Sequence, residues 1–294
     1  METLVRAVHP EAEIVRVLPR TGGESVPVFE VVCANPDVRL IVKVQPDDGG
    51  WKIDKERHVY GLLPADVPAP RVLHTSRDPL AVVMTLMPGR PLSEVSASLP
   101  PDALHGLYGQ MGRILASVHK RRMEAFGFIV EGVRAPVTTN AEYMTPLLER
   151  HLGIFRKRGG APALGDRIEQ HVNAHADLWS ECTTPVLCHN DFHEGNILVE
   201  EGPEGWQVTA VIDMENAVAA APLLDLAKAD FYAPAHSRPH FPALLDAYGL
   251  PNAADAYPLY RLHAALELWA WYATIGNTQP LESIAEEMAA MLAG

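Results

Sequence analysis

The feature of the sequence that most restricts its fold is a predicted β-hairpin with a polar residue next to each of its two strands, at the open end of the hairpin. Two β-rich runs, 197–199 and 208–212, flank a short polar turn, and this spacing is typical of a hairpin. Asn196 precedes the first run and Asp213 follows the second, and their midpoint in the sequence falls in the turn. We therefore expect Asn196 and Asp213 side by side, with Asp191 one loop away.

These three side chains form a set of hard oxygen donors. One amide oxygen and two carboxylates are too few for a closed metal cage, but they suit Mg²⁺, which completes its octahedron with water and substrate phosphates. The set predicts a site for a metal-bound nucleotide. A surface hairpin with ordinary turn acids is the alternative, and the three residues alone do not separate the two.

A buried ion pair is expected closer to the N-terminus. Lys43 lies in the apolar run 40–44, and a buried ammonium group is costly unless an anion pairs with it. Glu56 falls on the apolar face of a helix predicted over 53–63, where a core side chain belongs. The simplest arrangement pairs Glu56 with Lys43 and directs the lysine toward a phosphate. The alternative pairs Glu56 with a neighbouring basic residue of its own helix.

A change of pattern at Pro88 and Gly89 predicts a boundary between two lobes. Residues 1–87 are rich in predicted strands and contain one helix. Residues 88–294 are mostly helical, with a single β island at 185–213. The sequence therefore predicts an α+β fold with a small β-rich N-terminal lobe and a larger, mainly helical C-terminal lobe. Helices are predicted over 102–119, 143–155 and 167–179.

The order of these parts is the order found in kinases. A glycine turn, a strand lysine, a helix glutamate, a hinge strand, a catalytic loop, a hairpin and an aspartate follow one another. More specifically, the run His-Asn-Asp-Phe-His-Glu-Gly-Asn-Ile-Leu-Val at 189–199 resembles the catalytic loop of the aminoglycoside phosphotransferase family, small-molecule kinases related to choline kinases. Val-Ile-Asp-Met-Glu at 211–215 resembles its metal-binding segment. The resemblance covers about 20–230 and implies a two-lobed, protein-kinase-like fold.

The resemblance implies a role for each of the chemical residues. Asp191 would be the catalytic base or would orient the acceptor hydroxyl. Asn196 and Asp213 would hold Mg²⁺. Lys43, positioned by Glu56, would contact the α- and β-phosphates of the nucleotide.

Backbone groups would meet the rest of the ATP or GTP molecule. In the last predicted strand of the first lobe, the backbone of Thr85 and Met87 would contact the purine. The backbone amides at Gly22, Gly23 and Ser25 would approach the phosphates, because glycine allows such a close approach. A Gly-Gly pair alone predicts only a turn, and this one gains its interpretation from its place in the order.

Two further residues would support the predicted catalytic loop, and at some positions the sequence differs from the pattern of the family. His189 and Asp225 would brace the loop and do no chemistry. The family often has Gly where Asn190 stands and Pro where Glu194 stands. It also often has an aromatic residue where Met214 stands and Gly-Asp where Ala220 and Ala221 stand. None of the departures removes a predicted phosphate or metal ligand, but they limit what can be transferred about substrate contacts near 216–222.

Two other enzyme classes fit the sequence less well. A metallohydrolase built on His189, Asp191 and His193 would leave the predicted lysine–glutamate pair without a purpose. A protein kinase needs an activation segment that docks a peptide. Only nine positions separate Asp213 from Pro222, and no Ala-Pro-Glu segment follows, so a small-molecule acceptor is favoured.

Charge and composition restrict the partners and the location. The chain has 24 basic and 37 acidic residues, a formal charge of −13, which argues against a nucleic-acid or anionic-membrane partner. Three cysteines without metal-ligand spacing predict neither a disulfide framework nor a zinc module. The N-terminus lacks the apolar core of a signal peptide, and the longest apolar run, 80–87, is too short to span a membrane. We expect a cytoplasmic protein.

The acceptor is predicted from the charge of the C-terminal region. Residues 213–294 carry three basic and ten acidic side chains, a net charge of −7, which suits a cationic ligand. Asp230 and Glu267 are the candidate contacts, and a solvated acidic surface is the alternative. The expected reaction moves the γ-phosphate of ATP or GTP to a hydroxyl of an antibiotic, with an aminoglycoside or another cationic natural product ahead of a macrolide.

Two alternative functions remain open at this point. One is a metabolic kinase for choline, a sugar or an amino alcohol. The other is a nucleotide-binding module without catalysis. The sequence predicts no oligomeric state.

Overall fold

A five-stranded antiparallel sheet forms most of the N-terminal part of the protein, with strand order β1-β2-β3-β5-β4. The computed structural model describes residues 1–20, 26–46, 48–249 and 255–293. The strands are β1 Glu13–Arg20, β2 Val28–Ala34, β3 Val38–Val44, β4 Val72–Arg77 and β5 Leu80–Thr85, and the helices of this part are α1 Glu2–Arg6 and α2 Gly50–Leu62.

Alternation along β3 directs its side chains to opposite faces of this sheet. Leu40 and Val42 are buried on the face that packs against α1. Ile41 lies on the other face, which packs against Ile53 of α2. By the same alternation Lys43 shares the face of Ile41, so the strand directs its one lysine toward the helix.

The remainder of the chain is dominated by seven helices within the described residues. They are α3 Pro101–Val118, α4 Asn140–Lys157, α5 Pro162–Ala174, α6 Leu223–Phe231, α7 Phe241–Tyr248, α8 Tyr257–Ile275 and α9 Leu281–Met291. Their largest core contains the aromatic contacts Phe155–Trp269 and Trp179–Tyr260. In the part of the chain that the structure describes, no helix combines the length and apolar character needed to cross a membrane.

The predicted hairpin is present, and both of its strands extend further into the turn than predicted. Strand β10, Ile197–Gly202, pairs antiparallel with β11, Gly205–Val211. Ile197 lies opposite Val211, so the residues that flank the hairpin come together at its open end. A two-residue strand, β6 at Arg90–Pro91, joins the other edge of β10.

The expectation of a single β island was wrong. A third sheet has the order β8-β7-β12-β9 and contains β7 Phe126–Ile129, β8 Val133–Val137, β9 Val186–Cys188 and β12 Val218–Ala220. These strands are three to five residues long, and Gly127 and Pro136 weaken the strand pattern of two of them. Pairing with segments distant in the chain stabilises them, which no local pattern reveals.

The predicted bounds of the helices differ in accuracy. Those predicted over 102–119 and 143–155 are confirmed as α3 and α4, whereas the one predicted over 167–179 is misplaced. The chain there forms α5, which ends at Ala174, followed by a short 3₁₀ helix, Ala176–Glu181. The first sheet ends at Thr85, and the division of the chain into lobes 1–87 and 88–294 stays a prediction.

The close contact between α3 and α7 supplies a test of the packing. A Cβ atom at Gly112 would lie 2.2 Å from the carbonyl oxygen of Leu244, whereas a Cβ atom at Gly106 would meet nothing within 4 Å. We expect Gly112→Ala to lower the free energy of unfolding by about 1–3 kcal/mol, because backbone must move. Gly106→Ala should raise it by about 0.5–1 kcal/mol through helix propensity. Urea unfolding measures both, and equal effects would contradict this packing.

Candidate active site

A buried carboxylate holds the start of the loop between β9 and β10. Asp225, on α6, accepts the backbone N–H groups of His189 at 2.7 Å and Asn190 at 2.6 Å. It also accepts a hydrogen bond from Nε2 of His119 at 3.0 Å. Burial by itself would raise the pKa of Asp225, but the hydrogen bond and charge of His119 outweigh it and lower the pKa below its usual value. The loop is therefore tied to a helix by an ionised side chain.

His189 ties the same loop to the end of the hairpin. Its Nδ1 accepts the backbone N–H of Asp191 at 3.2 Å, and its Nε2 donates to the carbonyl oxygen of Ile212 at 2.9 Å. Both ring nitrogens are thus engaged with backbone, as expected of a side chain that braces the loop.

Asp191 lies within this braced loop and is bonded to the end of the hairpin. Nδ2 of Asn196 donates to the carbonyl oxygen of Asp191 at 2.9 Å and to its Oδ2 at 3.2 Å. Nε2 of His193 lies 3.4 Å from Oδ1. Burial would raise the pKa of Asp191, but the hydrogen bond and charge of His193 outweigh it and lower the pKa to about 2. The carboxylate is therefore ionised near neutral pH.

Lys43 lies among three carboxylates. Its Nζ is 3.2 Å from Oε1 of Glu56, 2.9 Å from Oδ1 of Asp213 and 3.1 Å from Oε2 of Glu215. The lysine is 7% exposed, and burial would lower its pKa, but Glu56, Asp213 and Glu215 outweigh burial and hold the pKa well above its usual value. The predicted Lys43–Glu56 ion pair is confirmed, and the alternative pairing of Glu56 is wrong.

The end of the hairpin presents Asp213 in an unusual backbone conformation. Its φ of 64° lies in the left-handed region, which non-glycine residues rarely adopt. Its backbone N–H donates to the hydroxyl oxygen of Tyr60 at 3.1 Å, so α2 holds the turn as well as the lysine. Sequence reasoning missed Glu215, since it lies two residues beyond Asp213 in a short 3₁₀ helix that no local pattern predicted.

One cavity of about 360 Å³ connects these groups. Its walls come from the first sheet, from α2 and from the hairpin. The lining includes Val28, Ile41, Lys43, Glu56, Met84, Thr85, Met87, Asn196, Leu198, Ile212 and Asp213. Lys43, Asn196 and Asp213 therefore meet in one cavity, and Asp191 is bonded directly to one of its lining residues.

The residues whose backbone is predicted to meet the purine or the phosphates of the nucleotide fall into two groups. Thr85 and Met87 line the cavity. The backbone N–H of Thr85 is already engaged, since it donates to the carbonyl oxygen of Arg71 at 3.0 Å. Gly22, Gly23 and Ser25 lie outside the described residues.

Asp230 and Glu267, the predicted acceptor contacts, are each paired with a basic side chain. Oδ2 of Asp230 is 2.7 Å from Nε of Arg261 and accepts the hydroxyl of Tyr257 at 3.0 Å. Oε2 of Glu267 is 2.8 Å from Nζ of Lys228. Their contact with an acceptor stays a prediction, and the compensating cations could not be found from the spacing of the acidic residues.

The chain is similar to one family of enzymes over most of its length. Residues 16–263 match the model of the phosphotransferase enzyme family. None of the curated proteins compared with the chain matches it.

Solved structures of several phosphotransferases share the fold. A thermostable mutant of aminoglycoside phosphotransferase APH(4)-Ia, in a ternary complex with ADP and hygromycin B, superposes with a TM-score of 0.77 at 17% identity, covering 99% of this chain and 97% of that one. A fructosamine-3-kinase candidate from Thermobifida fusca gives 0.70 at 22% identity, with the coverages 99% and 97%. The macrolide 2'-phosphotransferase MphH from Brachybacterium faecium gives 0.65 at 18%, again covering 99% and 97%. The predicted fold class is confirmed.

Removing the positive charge of Lys43 should lower the stability of the protein, because the carboxylates around it lose their counterion. We expect Lys43→Met to lower the free energy of unfolding by about 3–5 kcal/mol, because Glu56 is then buried without a counterion. Adding Glu56→Gln should recover part of the loss, since the neutral amide needs no counterion. Urea unfolding measures both variants, and a Lys43→Met protein as stable as the wild type would contradict this account of the cluster.

Proposed function

The chain belongs to the phosphotransferase enzyme family, and on this premise we propose that it moves the γ-phosphate of ATP or GTP to a hydroxyl of a small-molecule antibiotic in the cytoplasm. The resemblance predicted from its catalytic loop is thus confirmed at the level of the family. The observation that carries the proposal is the meeting of Lys43, Asn196 and Asp213 in one cavity beside Asp191.

The nucleotide occupies this cavity in the proposal. Lys43 neutralises the α- and β-phosphates, and Glu56 holds the lysine in position. Thr85 offers its carbonyl oxygen to the purine, because its N–H is already bonded, and Met87 offers its backbone. The neighbour that contains ADP supports ATP as the phosphate donor.

The donor set at the end of the hairpin fits Mg²⁺. Because Nδ2 of Asn196 is engaged by Asp191, the amide oxygen is left as the free donor. Asp213 uses Oδ1 for Lys43, which leaves its second oxygen. Asn196 and Asp213 would therefore hold the ion through two hard oxygen donors, with water and phosphate oxygens as further ligands. When bound, Mg²⁺ supplies neutralisation of the charge on the triphosphate.

Asp191 acts on the acceptor. Its carboxylate, ionised near neutral pH, accepts a hydrogen bond from the acceptor hydroxyl and can take up the hydroxyl proton as the transfer proceeds. We therefore assign Asp191 to orienting the hydroxyl in line with the γ-phosphorus. Phosphoryl transfer depends on positioning and charge neutralisation more than on early proton removal.

An aminoglycoside or another cationic natural product is the proposed acceptor. The net charge of −7 over 213–294 favours a cationic molecule, and the neighbour complexed with hygromycin B supports an aminoglycoside. Phosphorylation would inactivate the antibiotic. A metabolic kinase for a sugar or an amino alcohol is the second candidate, because the Thermobifida fusca neighbour, at 22% identity, is a fructosamine-3-kinase candidate.

A panel of acceptors tests this assignment. We expect the purified chain, with Mg²⁺ and ATP, to release ADP in proportion to added aminoglycoside and to yield a phosphorylated aminoglycoside by mass spectrometry. GTP in place of ATP tests the purine preference. Turnover only with choline, sugars or fructosamines would replace the antibiotic with the second candidate. Tight nucleotide binding without turnover on any acceptor would contradict both kinases and favour a binding module.

The proposed role of Asp191 predicts a loss of turnover without a loss of nucleotide affinity. We expect Asp191→Ala to lower kcat by roughly 10²–10⁴, because the acceptor hydroxyl loses its oriented hydrogen bond. The Kd of MgATP should change little, since Asp191 contacts Asn196 but does not line the cavity. Steady-state kinetics and nucleotide titration measure the two quantities. Near-wild-type turnover in Asp191→Ala would remove the assignment.

A further inference from the structure

Lys228 is a buried lysine of α6 that the assignments above leave without a role. It is 2% exposed and lies one helical turn after Asp225. Its Nζ donates to the carbonyl oxygen of Asn190 at 3.1 Å and to the side-chain Oδ1 of Asn190 at 2.6 Å. The same Nζ is 2.8 Å from Oε2 of Glu267 on α8. Lys228 therefore links the loop that carries Asp191 to a distant helix.

The bond to the carbonyl oxygen of Asn190 acts on the peptide group that leads into Asp191. Lys228 binds the oxygen of this peptide, and His189 accepts its N–H at 3.2 Å. Asn190 itself has a φ of 63°, in the left-handed region, and its own N–H is bonded to Asp225. Because the peptide is planar, fixing its oxygen and its N–H fixes the direction in which the backbone enters Asp191.

Glu267 serves as the counterion of Lys228. His263 and His151 lie beside Glu267, and burial lowers the pKa of both, that of His263 to about 3, so that these rings are neutral near pH 7. Among the described residues, Lys228 is the side chain that brings a positive charge to Glu267. A buried ammonium group without this carboxylate would be costly.

We propose that Lys228 is a positioning residue for phosphoryl transfer. By holding the carbonyl oxygen and the side chain of Asn190, Lys228 orients the carboxylate of Asp191, and the ion pair with Glu267 holds the Lys228 ammonium group in place. The inference rests on the proposed role of Asp191 in the transfer. It gives Glu267 a task that requires no contact with the acceptor.

Two variants separate positioning from folding. Lys228→Met removes the donor and leaves Glu267 buried without a counterion, so the Tm should fall. The double variant Lys228→Met/Glu267→Gln removes that charge as well, so the Tm should recover. Lys120→Met is the matched control, because Lys120 is 70% exposed and its pairing with Asp66 lies at the surface.

The readouts are turnover and hydrogen exchange. Turnover is measured as ADP release from MgATP, with water as the acceptor and with the acceptors of the panel. We expect kcat to fall by about 10- to 100-fold in both the single and the double variant, with the KM for ATP within about twofold, since a small displacement of an orienting group costs this much. Exchange of the Asp191 amide should be faster in both variants than in the Lys120→Met control.

Two results would overturn the proposal. Recovery of kcat together with Tm in the double variant would show a structural ion pair only. Unchanged kcat and unchanged exchange of the Asp191 amide in Lys228→Met would show that the contact positions nothing. Failure of every acceptor would refute the proposed function separately, because amide exchange and the water reaction report on the loop without any acceptor.

Discussion

The structure of the site depends on the burial of one ammonium group. Nζ of Lys43 can leave water only where anions surround it, and Glu56, Asp213 and Glu215 meet this requirement at distances of 2.9–3.2 Å. Because one of these carboxylates comes from α2 and two come from the end of the hairpin, the same requirement joins the first sheet to α2 and to the hairpin. The cavity lies where the first sheet, α2 and the hairpin meet.

The parts of the site that local patterns encode were predictable. The symmetry of the hairpin placed Asn196 and Asp213 together, and the apolar surroundings of Lys43 required an anion that Glu56 supplied. Contacts between segments far apart in the chain were not predictable. Glu215 reaches Lys43 across 172 positions. It ends the run that resembles the family's metal-binding segment, but nothing in that run indicates that Lys43 is its partner. The short strands β7, β8 and β12 were missed for the same reason, since pairing rather than propensity stabilises them.

The net charge of the C-terminal region does not by itself say which acidic side chains could contact an acceptor. The acidic C-terminal region contains Asp230 and Glu267, but Arg261 and Lys228 neutralise them locally. An excess of carboxylates in a segment of the sequence therefore does not establish a negatively charged surface that an acceptor could contact. Solved neighbours named for aminoglycoside, macrolide and fructosamine phosphorylation share this fold, so acceptor choice depends on side chains that vary while the fold is kept.

A crystal structure with AMP-PNP and Mn²⁺ would test most directly whether Lys43, Asn196 and Asp213 surround one metal-bound nucleotide. The anomalous scattering of manganese locates the ion. We predict manganese bound to the amide oxygen of Asn196 and a carboxylate oxygen of Asp213, with the triphosphate beside Lys43 and the γ-phosphate facing Asp191. Manganese or nucleotide bound outside this cavity, with Lys43 still enclosed by its three carboxylates, would contradict the account.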